Sequence, residues 1–370
     1  MLLHKSVEFD SRVRREARAL SRAGHEVTVV HLAPEQLRRD GYEIRSALPA
    51  SWVRRLPFAS YRLVFTAKFV ATIARGRPDA VHANDAAMLV PGFIGARLTG
   101  ARLIYDSHEL ATGVAHRKRA WAVAVSAIER ALVRRCDAVI TVSDGIADRL
   151  QELYRLRHRP TVVRNLTDLQ SSPGEGGLRK ALRIGDAPLV LHQGAPARSR
   201  GCETLVRAMA EVPGAQLVFL GDGEPEYVAT LTRLSRDLGL DDRVHFQPSV
   251  PLHELLAHTR EADVGVSLLE GSCENHRLAL PNKVFEYVAA GVPVVASELP
   301  ELRRLVAQHA IGWTVDPRNP ADVAAGLRDA LGKAGNGGLR ETLRTASEHL
   351  SWESEQQRLI TAYARLEPSE

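Results

Sequence analysis

Three shortages in the sequence each exclude a class of protein. Only three cysteines are present, and Cys136, Cys202 and Cys273 lie far apart without metal-ligand spacing, which fits a reducing cytoplasm and predicts no metal site. No apolar run approaches the ~20 residues that cross a bilayer, and the N-terminus has no apolar segment of the secretory type. Basic residues exceed acidic ones by only five, 49 against 44. Much of this excess is arginine, which genome composition explains as readily as an anionic partner, and we expect no nucleic-acid partner.

What the sequence has in abundance is an alternation of short apolar runs with helical patterns. At 370 residues and 45% hydrophobic content, the chain can bury large cores in about two domains. Short β-branched runs between helices predict parallel, doubly wound sheets. A turn-rich stretch at residues 171–177 interrupts the alternation and is the expected linker. The predicted strands lie at 26–30, 80–82, 102–105 and 138–142 before it, and at 188–192, 215–220, 244–246, 263–266 and 293–296 after it.

The alternation on both sides of the linker predicts an α/β protein of two Rossmann-like domains. We place the N-terminal domain at residues 1–168 and the C-terminal domain at residues 178–350. Ligands of such sheets bind outside the carboxyl ends of the strands. Two facing sheets therefore predict a ligand-binding cleft between the domains.

The stretch at residues 280–297 carries the clearest chemical signal. Residues 281–282 suit a helix start, and residues 283–290 form a short helix. Gly291 suits its left-handed C-terminal cap, and residues 292–296 form a buried strand. The helix start and Lys283 favour a phosphate group, and Glu286 one turn later suits a ribose diol. The alternative is a solvated Lys–Glu ion pair, which is the commoner meaning of that spacing.

Short motifs along most of the chain together carry a family resemblance. They are residues 10–16 with 23–27, then 82–85, 105–109, 142–144, 221–223 and the stretch 280–297. Each motif is weak alone, but their order and spacing resemble the retaining, nucleotide-sugar-dependent glycosyltransferases of family 4, which have the two-Rossmann GT-B fold. The resemblance implies that the C-terminal domain binds a nucleoside-diphosphate sugar. It also implies that a helix at 353–365 crosses back to complete the N-terminal domain.

On the donor side, the resemblance gives roles to one carboxylate and several cations. Glu286 resembles the ribose-binding glutamate of the family's E-x7-E motif, whereas Leu278 occupies the position of the other glutamate. Backbone N–H groups of residues 278–280 are then expected to hold the donor sugar, with Asn275 as a weaker candidate. Arg200 and Lys283 resemble the diphosphate-binding cations, and exposed arginine is the alternative for Arg200. The other expected donor-site residues are Gly194, Arg198, Gly221, Leu278, Ala279 and Leu280.

On the acceptor side, two residues at predicted strand ends are candidates. His108 resembles the family residue that approaches the donor sugar near the anomeric centre, and a capping residue in the β–α turn is the alternative. Asp85 either binds acceptor hydroxyls or caps the next helix. Ser143 and Asp144 precede a helical pattern and are predicted to cap it.

These assignments imply a sugar transfer with retained configuration, without a metal or cofactor. No carboxylate qualifies as a nucleophile for a double displacement, so we expect a same-face reaction in which cations stabilise the leaving diphosphate. Two other functions stay open, a sugar-nucleotide 2-epimerase and a non-catalytic transferase-like partner. The acceptor is open among polysaccharide or cell-wall precursors, lipids and specialised metabolites. Basic and aromatic residues at 52–58, in a predicted helix at 61–75 and at 116–121 leave peripheral membrane contact open as well, and the alternative is the ordinary outer helix layer of a Rossmann fold.

The N-terminus departs from the family pattern. Only residues 1–4 precede the first loop, where the family has a full apolar strand. We therefore expect a late chain start, a shortened central strand, and a mobile loop at residues 5–9.

Overall fold

The computed structural model of the chain describes residues 1–32, 37–39, 41–47, 58–113, 119–166 and 176–366. These fall into two compact units. Unit 1 comprises Met1–Asn165 and Glu353–Glu370, and unit 2 comprises Leu166–Trp352. Most of the expected linker at 171–177 and most of the basic, aromatic segments at 52–58 and 116–121 lie outside the described residues.

Unit 1 alternates strands and helices from its first turn. Asp10 caps the first helix, where its carboxylate accepts a hydrogen bond from the Val13 N–H at 3.0 Å. Ser143 caps a later helix in the same way, by accepting from the Ile146 N–H at 3.2 Å, as predicted. The elements are α1 (Ser11–Arg22), β1 (Thr28–His31), β2 (Leu37–Arg39), β3 (Tyr42–Ser46), α2 (Phe58–Gly76), β4 (Ala80–Asn84), α3 (Asp85–Thr99), β5 (Arg102–Ser107), α4 (Arg119–Leu132), β6 (Ala138–Thr141), α5 (Asp144–Tyr154) and β7 (Thr161–Val162).

The strands of unit 1 form a mostly parallel sheet. One part has the order β1-β3-β2, in which β2 runs antiparallel to β3, and the other has the parallel order β4-β5-β6-β7. Leu2 joins the two parts through parallel bridges to Val30 and Ala83. The core between this sheet and helices α2 and α3 includes Phe65, Phe69 and Met88.

Unit 2 repeats the alternation with a longer sheet. Its elements are α6 (Leu178–Leu182), β8 (Leu189–Gln193), α7 (Cys202–Ala208), β9 (Gln216–Leu220), α8 (Pro225–Asp237), β10 (Val244–Gln247), α9 (Leu252–Thr259), β11 (Val264–Ser267), α10 (Glu274–Leu278), α11 (Asn282–Ala289), β12 (Val294–Ser297), α12 (Pro300–His309), β13 (Gly312–Val315), α13 (Pro320–Lys333) and α14 (Gly337–His349).

The unit 2 sheet is parallel throughout and has the order β10-β9-β8-β11-β12-β13. The strand order reverses between β8 and β11, and ligands of doubly wound sheets bind at the carboxyl ends of strands at such a point. Both faces of the sheet are covered. Val190 packs with Leu205 of α7 in one core, and Leu191 packs with Tyr287 of α11 in the other.

The last helix, α15 (Trp352–Ala364), begins at the end of unit 2 and packs in unit 1. The hydroxyl of Tyr363 lies 2.7 Å from Nδ1 of His82. The carboxylate of Glu355 accepts a hydrogen bond from the Arg164 N–H at 2.8 Å. Of the helices that the structure describes, α15 included, none has the length and apolar character to span a bilayer.

The structure differs from the sequence-based expectations in two respects, the unit boundary and four further strands. The change of unit falls between Asn165 and Leu166, before the expected linker, because Leu166 packs in the unit 2 core. The expected shortening of the central strand is confirmed, because Leu2 pairs with Val30 and Ala83 through isolated bridges and no strand is formed in the described residues before residue 5. Val7–Phe9 form a 3-10 turn, and mobility of residues 5–9 stays a prediction. The strands β2, β3, β7 and β13 were not predicted.

Candidate functional site

A cavity of about 610 Å³ opens in unit 2 at the carboxyl ends of β8 and β9. It lies at the point where the strand order of the sheet reverses, and the N-terminus of α11 borders it. Five of the predicted donor-site residues line it, namely Gly194, Arg200, Gly221, Lys283 and Glu286. The other lining residues are Gln193, Ala195, Leu220, Asp222, Ser249, Val250, Leu255, Pro281 and Asn282.

Lys283 lies in the first turn of α11, where backbone N–H groups and the helix dipole also favour an anion. Its Nζ is 3.3 Å from Nε2 of His192. Burial and the nearby guanidinium of Arg200 lower the pKa of Lys283 to about 7. Two cationic side chains therefore share one small cavity, and an anion between them offsets their mutual repulsion.

Glu286 lies one turn further along α11 and is 8% exposed. One carboxylate oxygen accepts a hydrogen bond from the side-chain amide of Gln193. The sequence left open a solvated ion pair between Lys283 and Glu286. The structure instead gives each side chain its own buried partner at the end of β8.

Two glycines let backbone approach backbone at the cavity rim. Gly221 has φ +149°, and a Cβ there would lie 2.6 Å from the carbonyl carbon of Gly194. No larger residue fits at Gly221 without moving the loop that follows β8. The turn is also tied to the loop after β10, because the Ser249 hydroxyl donates to the Asp222 carboxylate.

The remaining predicted donor-site residues lie elsewhere in unit 2. The guanidinium of Arg198 lies over the ring of Tyr227, with 5.1 Å from its carbon to the ring centroid. Asn275 and Leu278 belong to α10, Ala279 caps that helix, and Leu280 precedes α11. These residues are not among those that line the cavity, and their roles stay predictions.

In unit 1, His108 follows β5 and lies between two carboxylates. Its Nε2 is 3.2 Å from Oδ2 of Asp106, and its Nδ1 is 3.5 Å from Oδ2 of Asp85. Burial alone would lower the pKa of His108, but the two carboxylates outweigh it and raise the pKa to about 9. His108 therefore carries a proton on both ring nitrogens at neutral pH: Nε2 donates a hydrogen bond to Asp106, and Nδ1 faces Asp85 as an ion pair.

Asp85 is the first residue of α3 and has φ +63°, in the left-handed region. Non-glycine residues in this region store strain, and such strain is concentrated at functional sites. The helix cap is Asn84, without a side-chain capping bond. Of the two roles left open for Asp85, capping is therefore the less well supported.

A buried ion-pair network anchors Asp106 behind His108. The Arg12 guanidinium donates two hydrogen bonds to Oδ2 of Asp106, at 3.0 and 2.9 Å. Burial would raise the pKa of Asp106, but Arg12 and His108 hold it well below its usual range. Burial raises the pKa of Glu16, which also contacts Arg12, to about 8. Glu16, His82 and Asp106 lie within 4.8 Å of one another. The Arg12 guanidinium lies 2.9 Å from an oxygen of both Glu16 and Asp106, and Asp106 is the one of the two that stays ionised at neutral pH, so Arg12 and Asp106 form the ion pair at the centre of this cluster.

Sequence reasoning missed the residues that hold the predicted ones in place. Gln193 and His192 end an otherwise apolar strand, and polar residues at that position were the available signal. Arg12 and Asp106 were quoted only as parts of motifs. Their pairing joins α1 to β5 across 94 residues of sequence, which no local pattern reveals.

Two family models match this chain. The family model described as Glycosyltransferase Family 4 matches residues 11–171, and the model described as Glycosyl transferases group 1 matches residues 187–333. A D-inositol 3-phosphate glycosyltransferase of Xylanimonas cellulosilytica is 26% identical over 94% of this chain and 89% of its own length.

Two solved structures with the same fold are a sucrose-phosphate synthase and a protein in complex with UDP-glucose. Sucrose-phosphate synthase from Thermosynechococcus elongatus superposes with a TM-score of 0.78 at 22% identity, over 99% of this chain and 98% of that one. HepE of Anabaena, in complex with UDP-glucose, gives 0.74 at 18% identity, over 98% of each chain. The two family models between them cover most of both units, so the chain belongs to the family 4, group 1 glycosyltransferases and is a glycosyltransferase with the GT-B fold.

Proposed function

We propose that the protein transfers a sugar from a nucleoside-diphosphate sugar to an acceptor hydroxyl, with retention at the anomeric carbon. The observation that carries the proposal is the unit 2 cavity, where Arg200 and Lys283 suit a diphosphate and Glu286 suits a ribose diol. The bound UDP-glucose of the Anabaena relative supports the same ligand class.

In the proposed reaction, the cations act on the leaving group. As the glycosidic bond breaks, negative charge grows on the diphosphate, and Arg200, Lys283 and the α11 N-terminus stabilise that charge without requiring a metal. The acceptor hydroxyl attacks from the face that the diphosphate leaves, and a diphosphate oxygen takes its proton. This route needs no carboxylate nucleophile from the protein.

We assign hydrogen-bonding roles to two residues of unit 1. His108 carries a positive charge at neutral pH because its pKa is raised to about 9, so it does not act as a general base. Its Nε2 is engaged by Asp106, and its Nδ1–H, 3.5 Å from Asp85, is the group that donates to a sugar hydroxyl. The strained Asp85 accepts hydrogen bonds from acceptor hydroxyls. A proton on His108 also holds Asp85 by charge attraction.

The test uses the purified protein and a panel of donors. UDP-, GDP- and ADP-sugars are incubated with and without candidate acceptors, and nucleotide release is measured together with the anomeric configuration of the product by NMR. We expect acceptor-dependent release of one nucleoside diphosphate and a product of retained configuration. An inverted product would refute the retaining mechanism. Interconversion of sugar epimers without transfer would refute the proposed reaction in favour of epimerisation.

A further inference from the structure

Two polar residues end a strand that is otherwise wholly apolar. His192 and Gln193 follow Leu189, Val190 and Leu191 in β8 and are 0% and 3% exposed. Side chains alternate between the faces of a strand, so His192 lies on the face of Val190 and α7, and Gln193 on the face of Leu191 and α11. Burying polar groups is unfavourable unless each is hydrogen-bonded, and one partner of each residue, Lys283 for His192 and Glu286 for Gln193, lies in the proposed donor site.

His192 contacts Lys283 from one face of the sheet. Its Nε2 lies 3.3 Å from Nζ of Lys283, and its ring packs on Phe219 at 5.1 Å between centroids. Burial, together with the charges of Lys283 and Arg200, holds the pKa of His192 well below its usual range. The neutral ring thus accepts a hydrogen bond from the ammonium group, which requires its own proton on Nδ1.

Gln193 contacts Glu286 from the other face. Its side-chain amide donates to the Glu286 carboxylate, and its Oε1 accepts a hydrogen bond from the Thr259 hydroxyl at 2.8 Å. Its backbone N–H donates to the Tyr287 hydroxyl at 2.8 Å. An ionised carboxylate only accepts hydrogen bonds, so the NH2 end of the Gln193 amide faces Glu286 and Oε1 faces the Thr259 hydroxyl, which also lies 2.7 Å from the carbonyl oxygen of Leu255.

We propose that His192 and Gln193 are paired positioning residues of the donor site. His192 holds Lys283 in place for the diphosphate, and Gln193 holds Glu286 in place for the ribose diol. The inference rests on the proposed function and adds the two residues that assemble the site before the donor binds. Holding long side chains in their bound rotamers beforehand reduces the entropy lost on binding.

The first test asks whether donor binding depends on the hydrogen-bond acceptor of His192 or only on the volume of its side chain. His192→Gln keeps a strong acceptor, whereas His192→Met has similar length and only a weak thioether acceptor. The readout is the affinity of the nucleotide sugar that the wild type binds best, by calorimetry at several pH values. We expect His192→Met to weaken binding about tenfold and His192→Gln to stay close to the wild type.

The same variants should also differ in the pH at which affinity declines. The titratable and charged groups around Lys283 are Arg200 and Cys202 on the α7 side, His192 on β8, Glu286 on α11 and Asp222 across the cavity. Without the His192 acceptor, the Lys283 ammonium is less stabilised, so the midpoint should move to lower pH in His192→Met. Equal affinity and an equal midpoint in His192→Met and the wild type would overturn the role of His192.

The second test measures how much the ribose diol contributes to nucleotide affinity, because Gln193 is proposed to act only on the residue that binds the diol. The wild type should bind a nucleoside diphosphate about tenfold more tightly than its 2′,3′-dideoxy analogue, which has no diol. Gln193→Met should bring this ratio close to one, Thr259→Val should reduce it in part, and His192→Met should leave it unchanged. A wild-type ratio in both Gln193→Met and Thr259→Val would overturn the role of Gln193.

Controls separate this inference from the proposed function. His245→Met replaces a histidine of β10 whose partner is Gln216, and circular dichroism establishes that each variant is folded. If the wild type binds no nucleoside diphosphate, the proposed function fails. If it binds one, and Lys283→Ala and Glu286→Ala weaken binding while His192→Met and Gln193→Met do not, only the positioning inference fails.

Discussion

Lys283 and His108 have pKa values displaced in opposite directions by their surroundings. Lys283 lies beside another cation, and its pKa is lowered to about 7. His108 lies between carboxylates, and its pKa is raised to about 9. At neutral pH the histidine is thus the more firmly protonated of the two, the reverse of their ordinary order.

Alanine variants of Arg200, Lys283 and Glu286 should separate into two classes. Each charge-assisted hydrogen bond to the diphosphate contributes about 1.5–3 kcal/mol, so Arg200→Ala and Lys283→Ala should weaken donor binding about ten- to a hundredfold. Their turnover should fall further, since charge on the leaving group grows in the transition state. Glu286→Ala should chiefly raise the donor KM. Calorimetry and single-turnover rates measure both quantities.

The matched control for this series is Arg207→Ala, which removes an exposed arginine of α7. It should leave donor affinity and turnover unchanged. Wild-type behaviour of both Arg200→Ala and Lys283→Ala would show that neither side chain binds the donor and would remove the site assignment.

Donor affinity should fall as the pH rises through about 7. Below this pH Lys283 is protonated in the empty protein, and above it binding must also take up a proton, because the diphosphate raises the pKa of Lys283 again. The loss approaches tenfold per pH unit for one proton. A nucleotide sugar is the right probe, since each of its phosphates has an ester link, an anhydride link and a single strongly acidic oxygen, and so keeps its charge over this range. Lys283→Arg should flatten the profile, and a flat wild-type profile from pH 6 to 9 would contradict the prediction.

Among the elements, the buried strands were the most predictable from sequence. Strands β8 and β9 are continuous apolar runs, and such runs are recognisable as buried strands. The β2–β3 hairpin was missed because charged residues interrupt its apolar pattern. These include Arg38, Arg39, Glu43 and Arg45. Helix α11 was predicted to within one residue of both ends. Its partners on β8 were not, because the sequence gives the end of a strand but not which side chain of a neighbouring helix meets it.

The turn after β9 should tolerate no Cβ at Gly221. Gly221→Ala brings a methyl group to within 2.6 Å of the Gly194 carbonyl carbon, so the loop after β8 must move. Gly214→Ala is the matched control, because Gly214 also has positive φ (+77°) but has open space around its Cβ position. The control should lose about 1–2 kcal/mol through backbone strain alone. Gly221→Ala should lose more and should also weaken donor binding, as measured by thermal unfolding and calorimetry, and equal effects of the two would contradict the close approach.

Across unit 1, stability depends on pairs that are distant in sequence. The Arg12–Asp106 pair is fully buried, at 3% and 0% exposure, and removal of one partner leaves the other as an uncompensated charge. The His82–Tyr363 contact joins β4 to α15 across 281 residues. These contacts are invisible to any local pattern, and they hold His108 and the strand ends in their arrangement.

Asp106→Asn should therefore destabilise unit 1 by about 3–5 kcal/mol, because Arg12 stays buried without its charged partner. Urea titration with hydrogen exchange of unit 1 peptides is the measurement, since a protein of two units need not unfold in one step. Glu348→Gln, which breaks the exposed pair with Arg344, should change little. A loss for Asp106→Asn no larger than for Glu348→Gln would contradict the importance of the buried pair.

The return of α15 to unit 1 has a consequence for the order in which the protein matures during synthesis. Unit 2 is an insertion in unit 1, so the ribosome completes residues 166–352 before it releases Tyr363 and Glu355. Until then His82 and Arg164 lack their partners on α15. We expect unit 2 to fold first. The N-terminal portion should stay incompletely folded until α15 docks, and until then it should be sensitive to proteases and dependent on chaperones. A chain stopped at residue 352 should accordingly yield a stable C-terminal fragment on limited proteolysis, and a degraded N-terminal one.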